Sequence, residues 1–312
     1  MNGERHMKTL ITGGTGLIGR AISGDVKLST RDGDLRTPSI AMRLFNEHKP
    51  QYVVHCAGKV GGVGANDKYK GQFYYDNIMI NTNVLEAARR VGVLKLVSFL
   101  STCIFPDVVE LPLDETKIHL GEPHKTNYAY AYSKRMLDIQ SMAYRDEYGC
   151  NFVCVIPTNC YGPDDNFDIQ SGHAIPSLIH KCFLAKRNNT PLEVWGTGDP
   201  IREFIYVDDV ARLTEWVLHY YNEKGPIILS ASDPISIKKL VKLIAQELQF
   251  DGKILWDYSK PDGQYRKPSC NNKLMGYLPN FKFTNIHEGL KKTISWFVEN
   301  YDADGIVRGK QL

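Results

Sequence analysis

The 312-residue chain carries 38 Lys and Arg against 35 Asp and Glu, a formal net charge of +3. With 43% hydrophobic and 23% charged residues it has a globular composition and enough length for a large core in one or two joined domains. The charge is too small and too scattered for a nucleic-acid binder, and no apolar run reaches the length of a membrane span.

Seven cysteines show no CxxC pair and no metal-ligand spacing, so neither a disulfide framework nor a metal site is expected. The opening MNGERHMKTLITGG enters a strand and a glycine turn without a signal-like apolar region, which predicts a cytoplasmic protein. A second methionine, Met7, leaves open whether residues 1–6 are native.

In chain order, MKTLITGGTGLIGRAI (7–22) predicts a strand, a glycine loop and a helix start. A second strand begins VKLSTRDGDLR (26–36), and further strands are expected at 52–58 (YVVHCAG), 95–102 (KLVSFLST) and 151–159 (NFVCVIPTN). Helical patterns fall at 39–48, 73–91 and 128–148. Strands that read as near-continuous apolar runs, alternating with helices, predict an α/β fold: a Rossmann-type doubly wound parallel sheet, with ligands at the carboxyl ends of its strands.

Beyond YGP (161–163) the rhythm changes. A polar loop (164–173) leads to helices at 175–188, within 202–221, at 236–248 and at 286–301, with short strands near 192–198 and 226–230. The expected division is a Rossmann domain over 1–163 with a return segment near 195–220, and a smaller α/β substrate domain over most of 164–312.

Gly13, Gly16 and Gly19 stand at GxxGxxG spacing between a strand and a helix. Glycine allows a tight turn and close backbone approach to a pyrophosphate, and the helix start offers N–H donors and a positive dipole end. The stretch Gly13, Gly14, Thr15, Gly16, Leu17, Ile18, Gly19 is therefore the candidate dinucleotide loop. An NAD site would place an acid at the end of the second strand, whereas Arg31 stands there, which suits a 2′-phosphate and so NADP(H). The alternative leaves Arg31 in solvent and gives the ribose to Asp32 or Asp34.

NYAYAYSKRM contains Tyr130 and Lys134 one helical turn apart on one face, so the ammonium can favour the phenolate. Ser101 ends the strand before that helix. Glycine loop, strand-end serine and YxxxK together resemble the extended branch of the short-chain dehydrogenase/reductase superfamily. That resemblance implies Ser101 and Tyr130 at a substrate carbonyl, with Lys134 on the tyrosine and the cofactor.

Five further stretches narrow the resemblance: HCAGKVGGVGANDKY (55–69), STCIFPD (101–107), PTNCYGPDDNF (157–167), GHAIPSLIHK (172–181) and VWGTGDPIREFIYVDD (194–209). They are similar to the GDP-sugar 3,5-epimerase-4-reductases of that branch, from Lys8 to about Tyr301. The implied reaction is NADPH-dependent: GDP-4-keto-6-deoxy-D-mannose is epimerised at C3 and C5 and then reduced by hydride at C4. Cys103 and His173 occupy the positions of the added acid–base pair. Ala57, Gly58, Leu100, Pro157, Asn159 and His173 are implied to face the cofactor, and Asn159 also the sugar.

Lys181, Trp195 and Arg202 match positions that contact the nucleotide and sugar in this family, where arginine is common in place of Lys181. Asp262 and Lys267 are further candidates. By residue type alone, Cys103 reads first as a buried structural thiol, and Trp195 and Arg202 could instead be a core aromatic and a surface charge. Thr102 is expected to point away from the site if strand alternation continues that far. The implied partners are a GDP-sugar and a second copy of the chain, paired through 73–91 and 128–148, with no nucleic acid and no membrane. A nucleotide-sugar 4-epimerase, a simple 4-ketoreductase and a non-catalytic NADP(H)-sensing protein are the competing readings.

Overall fold

The computed structural model describes residues 7–260, 262 and 265–301; residues 1–6, whose nativeness the sequence left open, lie outside the described residues. Six parallel strands form the main sheet: β1 (Thr9–Thr12), β2 (Val26–Leu28), β3 (Tyr52–His55), β4 (Lys95–Phe99), β5 (Phe152–Pro157) and β9 (Ile227–Leu229), in the order β2-β1-β3-β4-β5-β9. The chain reverses its winding direction between β1 and β3, so the crevice beyond their carboxyl ends is the expected ligand position.

Period-2 alternation sends neighbouring residues to opposite faces of this sheet. Leu10, Val53 and Leu96 enter a core with Leu44 and Phe45 of α2 (Pro38–His48), Val84 and Leu85 of α4 (Lys70–Arg90) and Leu137 of α5 (Tyr128–Tyr148). Ile11, Val54 and Val97, one residue on, enter a second core with Val210, Leu213 and Val217 of α7 (Val207–Tyr220). Burial on both faces explains the continuous apolar strands.

A third core belongs to the other lobe. It lies among α6 (Ala174–Asn188), α8 (Ile237–Glu247) and α10 (Ile286–Asn300), the sheet β10 (Pro234–Ser236)–β8 (Ile201–Tyr206)–β6 (Asn159–Tyr161), and the parallel pair β7 (Leu192–Trp195)–β11 (Ile254–Asp257). The fold is α/β: a Rossmann-type doubly wound sheet with a smaller α/β lobe. Among the described residues no helix is long and apolar enough to cross a membrane.

Several element ends differ from expectation for local reasons. The strand expected over 95–102 stops at Phe99, and Thr102–Ile104 form a 3-10 turn. Strand alternation therefore does not reach Thr102, and it gives no basis for that residue's direction. The apolar run 151–159 holds a change of sheet: β5 ends at Pro157 and Asn159 starts β6. The first crossover helix, α1 (Leu17–Ala21), has five residues, so its dipole is small and the donors at its start are chiefly individual N–H groups. A helix not expected from the sequence, α3 (Val63–Lys68), precedes α4.

Candidate active site

At the β1–β3 crevice, Gly13 has φ +68°, and a Cβ there would stand 2.7 Å from the Ala57 amide nitrogen. A Cβ on Gly19 would fall 2.2 Å from the Gly13 carbonyl oxygen. These two glycines let the loop close on itself and on the end of β3. At Gly16 an added Cβ would meet nothing nearer than the Gly13 oxygen at 3.5 Å, so the loop keeps an open side for a ligand backbone. This cradle fits a dinucleotide pyrophosphate.

β2 ends at Leu28, before Arg31, which lies exposed in the following turn. Asp32 accepts from the Ser29 amide and hydroxyl, and Asp34 from the Arg36 guanidinium. Both acids weighed against Arg31 are thus engaged locally. Arg36 also bonds Asp76 on α4.

Beyond β4, Ser101 caps the 3-10 turn, its Oγ accepting from the Cys103 amide at 3.5 Å. That bend keeps the Ser101 and Cys103 side chains together. Lys134 is buried on α5 and donates to the Phe99 carbonyl at 2.9 Å, with Nζ 5.9 Å from the Tyr130 ring centre. A Cβ on Gly58 would lie 3.5 Å from the same Nζ, so Ser101, Cys103, Tyr130, Lys134 and Gly58 share one end of the sheet.

Burial pulls the Lys134 ammonium down to about 8. Burial raises the Tyr130 phenol well above its ordinary value, with the charge of Cys103 adding to it, so the hydroxyl is held protonated as a proton donor requires. Burial also raises the Cys103 thiol, against a hydrogen bond from Ser101 and the positive charges of Lys134 and Lys267. Lys267 therefore belongs at the Cys103 end of the cleft, where Asp107 and Cys103 oppose the lowering that burial imposes on it.

Leu100 and Pro157 are buried beneath this end, and Asn159 opens β6 exposed, its amide donating to the Glu203 carbonyl at 2.7 Å. The loop after β6 returns the chain to the site. Asp168 accepts from the Ser171 amide and hydroxyl, and the Ser171 carbonyl accepts from the Gly62 amide at 3.3 Å. His173 stands exposed at the N-cap position of α6, while His180 bonds the Phe167 carbonyl and packs on Phe297.

A second cluster lies on the smaller lobe. Trp195 is 56% exposed at the end of β7, with Lys181 Nζ 4.3 Å and Lys260 Nζ 5.7 Å from its ring. Asp262 accepts from the Thr197 amide and hydroxyl, and its backbone carbonyl accepts from Arg202. An exposed indole flanked by cations is suited to a flat base and an anionic diphosphate. The sequence placed Lys181, Trp195, Arg202 and Asp262 among the candidates, and the fold brings them together. Lys267 lies toward Asp107 and Cys103, and Lys260, in the same SKPDG loop as Asp262, carries only a weak sequence signal.

Residues 22–229 match the NAD dependent epimerase/dehydratase family. The chain is 46% identical to a GDP-L-fucose synthase of Dictyostelium discoideum over 94% of this chain and 96% of that one. The chain belongs to the GDP-L-fucose synthases of the NAD dependent epimerase/dehydratase family. It is 39% identical to a probable GDP-L-fucose synthase of Drosophila melanogaster, over 95% and 98% of the two chains. A GDP-L-fucose synthetase of Naegleria fowleri, solved bound to NADP, superposes with a TM-score of 0.91 at 41% identity, over 96% and 95% of the chains. The glycine cradle and the YxxxK helix lie at the same carboxyl end of the main sheet.

Proposed function

We propose that this protein is an NADPH-dependent enzyme converting GDP-4-keto-6-deoxy-D-mannose to GDP-L-fucose, by epimerisation at C3 and C5 and reduction at C4. The observation that carries this reading is the pairing of two sets of groups in one cleft. Ser101, Tyr130 and Lys134 suffice for reduction, while Cys103, under the influence of Lys134 and Lys267, adds a proton-transfer group that a simple reductase or 4-epimerase does not need. An intact Tyr130 and Lys134 also speak against a non-catalytic sensor.

The Gly13–Gly19 loop would hold the cofactor pyrophosphate, Arg31 the 2′-phosphate, and Ala57, Gly58, Leu100, Pro157 and Lys134 the nicotinamide end. Bound NADPH supplies the hydride that reduces C4. The C4 ketone acidifies the protons at C3 and C5. Cys103 and His173 then exchange a proton at each carbon, one removing it from one face and the other returning it on the opposite face. Ser101 hydrogen-bonds the ketone oxygen, and Tyr130 protonates the alkoxide that reduction leaves. Lys134 stabilises the tyrosinate so formed. Asn159 borders the sugar. Trp195 stacks on guanine while Lys181 and Arg202 meet the diphosphate, with Lys181 acting as a point charge where an arginine would bind bidentately.

We also infer a homodimer. The outer faces of α4 and α5 carry exposed Tyr75, Met136 and Ile139, an apolar surface suited to a two-fold helix pairing. A cytoplasmic setting suits the free thiols and the NADPH requirement.

The test is incubation with GDP-4-keto-6-deoxy-mannose and either reduced cofactor. NADPH consumption with formation of GDP-L-fucose is expected, with NADH much poorer. No sugar-dependent oxidation of either cofactor would overturn the reading.

A further inference from the structure

Asp165 is a buried carboxylic acid, 5% exposed, in the loop after β6. Its Oδ1 accepts from the Asn166 amide at 2.7 Å. Its Oδ2 is buried without any hydrogen-bond partner. A buried carboxylate oxygen left in that condition is destabilising, and such a group calls for a functional account. Two titratable groups face it: His173, from the start of α6, and Cys160, from β6, whose thiol burial holds far above its ordinary range and therefore neutral. His173 is thus the charge-bearing neighbour of the carboxylate.

The loop between the two residues is built to bring them together. Asp164 has a left-handed backbone at φ 64° and is tied to Arg20 at 3.1 Å. Asp168 gathers the amides of Gln170 and Ser171, and the Gly172 amide donates to its carbonyl at 2.8 Å. A side chain at 172 would collide with the carbonyl oxygens of Asn166 and Asp168, at 2.4 and 2.5 Å, so glycine lets the loop close tightly just before His173.

We infer that Asp165 is a positioning residue for His173: its free Oδ2 accepts the N–H of one imidazole nitrogen once the sugar is bound, directing the other nitrogen at C3 and C5. This inference rests on the assignment of His173 to proton exchange. No direct hydrogen bond joins the pair, and catalytic hydrogen bonds commonly tighten only in the complex with substrate. The carboxylate stabilises the imidazolium in either direction of proton transfer. The proton itself passes only between His173 and the sugar carbon, and Asp165 stays ionised. Burial raises Asp165 to about 6, so it is ionised at neutral pH.

The experiment follows deuterium entry at C3 and C5 of GDP-4-keto-6-deoxy-mannose in deuterated buffer without NADPH, across pH, for the wild type, Asp165→Asn and His173→Asn. NADPH affinity and thermal melting serve as fold controls. Asp165→Asn should bind NADPH normally, slow exchange, and alter the pH profile of exchange, because the amide removes the negative charge beside His173. If His173→Asn abolishes exchange while Asp165→Asn keeps both the wild-type rate and the wild-type profile, the positioning role is refuted and the reading of His173 stands. If His173→Asn exchanges normally, the reading of His173 fails first and the inference with it. Should Asp165→Asn not fold, NMR titration of the His173 ring in the wild type decides: a two-step curve coupled to a carboxyl supports the pair, and a single-site curve overturns it.

Discussion

In the proposed reaction, Tyr130 and Lys134 set the pH response of the reduction. The Lys134 ammonium, lowered to about 8 by burial, is charged below that pH and neutral above it. Its charge supports the tyrosinate formed when Tyr130 gives up its proton, so reduction should be level below pH 8 and fall as pH rises through it. Lys134→Met should remove that limb together with most of the rate. Tyr130→Phe should lower kcat by roughly 100- to 10,000-fold, the contribution of a general acid, with NADPH binding retained. Rapid-mixing measurement of NADPH oxidation checks both. These two residues were legible in the sequence because a helix fixes i and i+4 on one face. The surroundings of Cys103 were not: a thiol one bend from Ser101 depends on β4 ending at Phe99, and Lys267 reaches it from a loop more than a hundred and fifty residues further along the chain.

At the level of elements, the glycine loop separates folding from binding. A Cβ at Gly19 would enter the Gly13 carbonyl, which backbone must move to relieve, whereas Gly16 has room. Gly19→Ala should destabilise the protein by about 1–3 kcal/mol and abolish NADPH binding. Gly16→Ala should melt as the wild type does and bind NADPH more weakly. Melting curves with and without NADPH distinguish the two. Helices were read closely, α5 over the expected 128–148 and α4 from Lys70, a turn before the expected start. Strand ends were read less well, because an apolar run continues through Pro157 into Asn159–Tyr161 while its hydrogen bonds pass to a different sheet. Local pattern carries burial, not the identity of the pairing strand.

For the whole molecule, the proposed function divides the ligands between the two lobes. The main sheet presents the dinucleotide cradle and the Ser101–Tyr130–Lys134 group, and the smaller lobe presents Trp195 with Lys181 and Lys260. His173 and its loop connect them, since the Ser171 carbonyl accepts from Gly62 and Asp164 binds Arg20 beside the glycine loop. The sequence indicated both ligand groups but not this bridge, which consists of contacts between distant segments. The inferred dimer predicts that the wild type sediments as a dimer, and that Ile139→Glu, placing a charge on the exposed face of α5, sediments as a monomer.

The proposed enzyme performs proton exchange and reduction in one cleft with separate residues. NMR of the product formed from GDP-4-keto-6-deoxy-mannose and NADPH in deuterated water tests this most directly. Deuterium is expected at both C3 and C5 of GDP-L-fucose, and Cys103→Ser should retain NADPH binding and lose deuterium entry. Reduction at C4 without deuterium at either carbon, or a fully active Cys103→Ser, would contradict this division of roles.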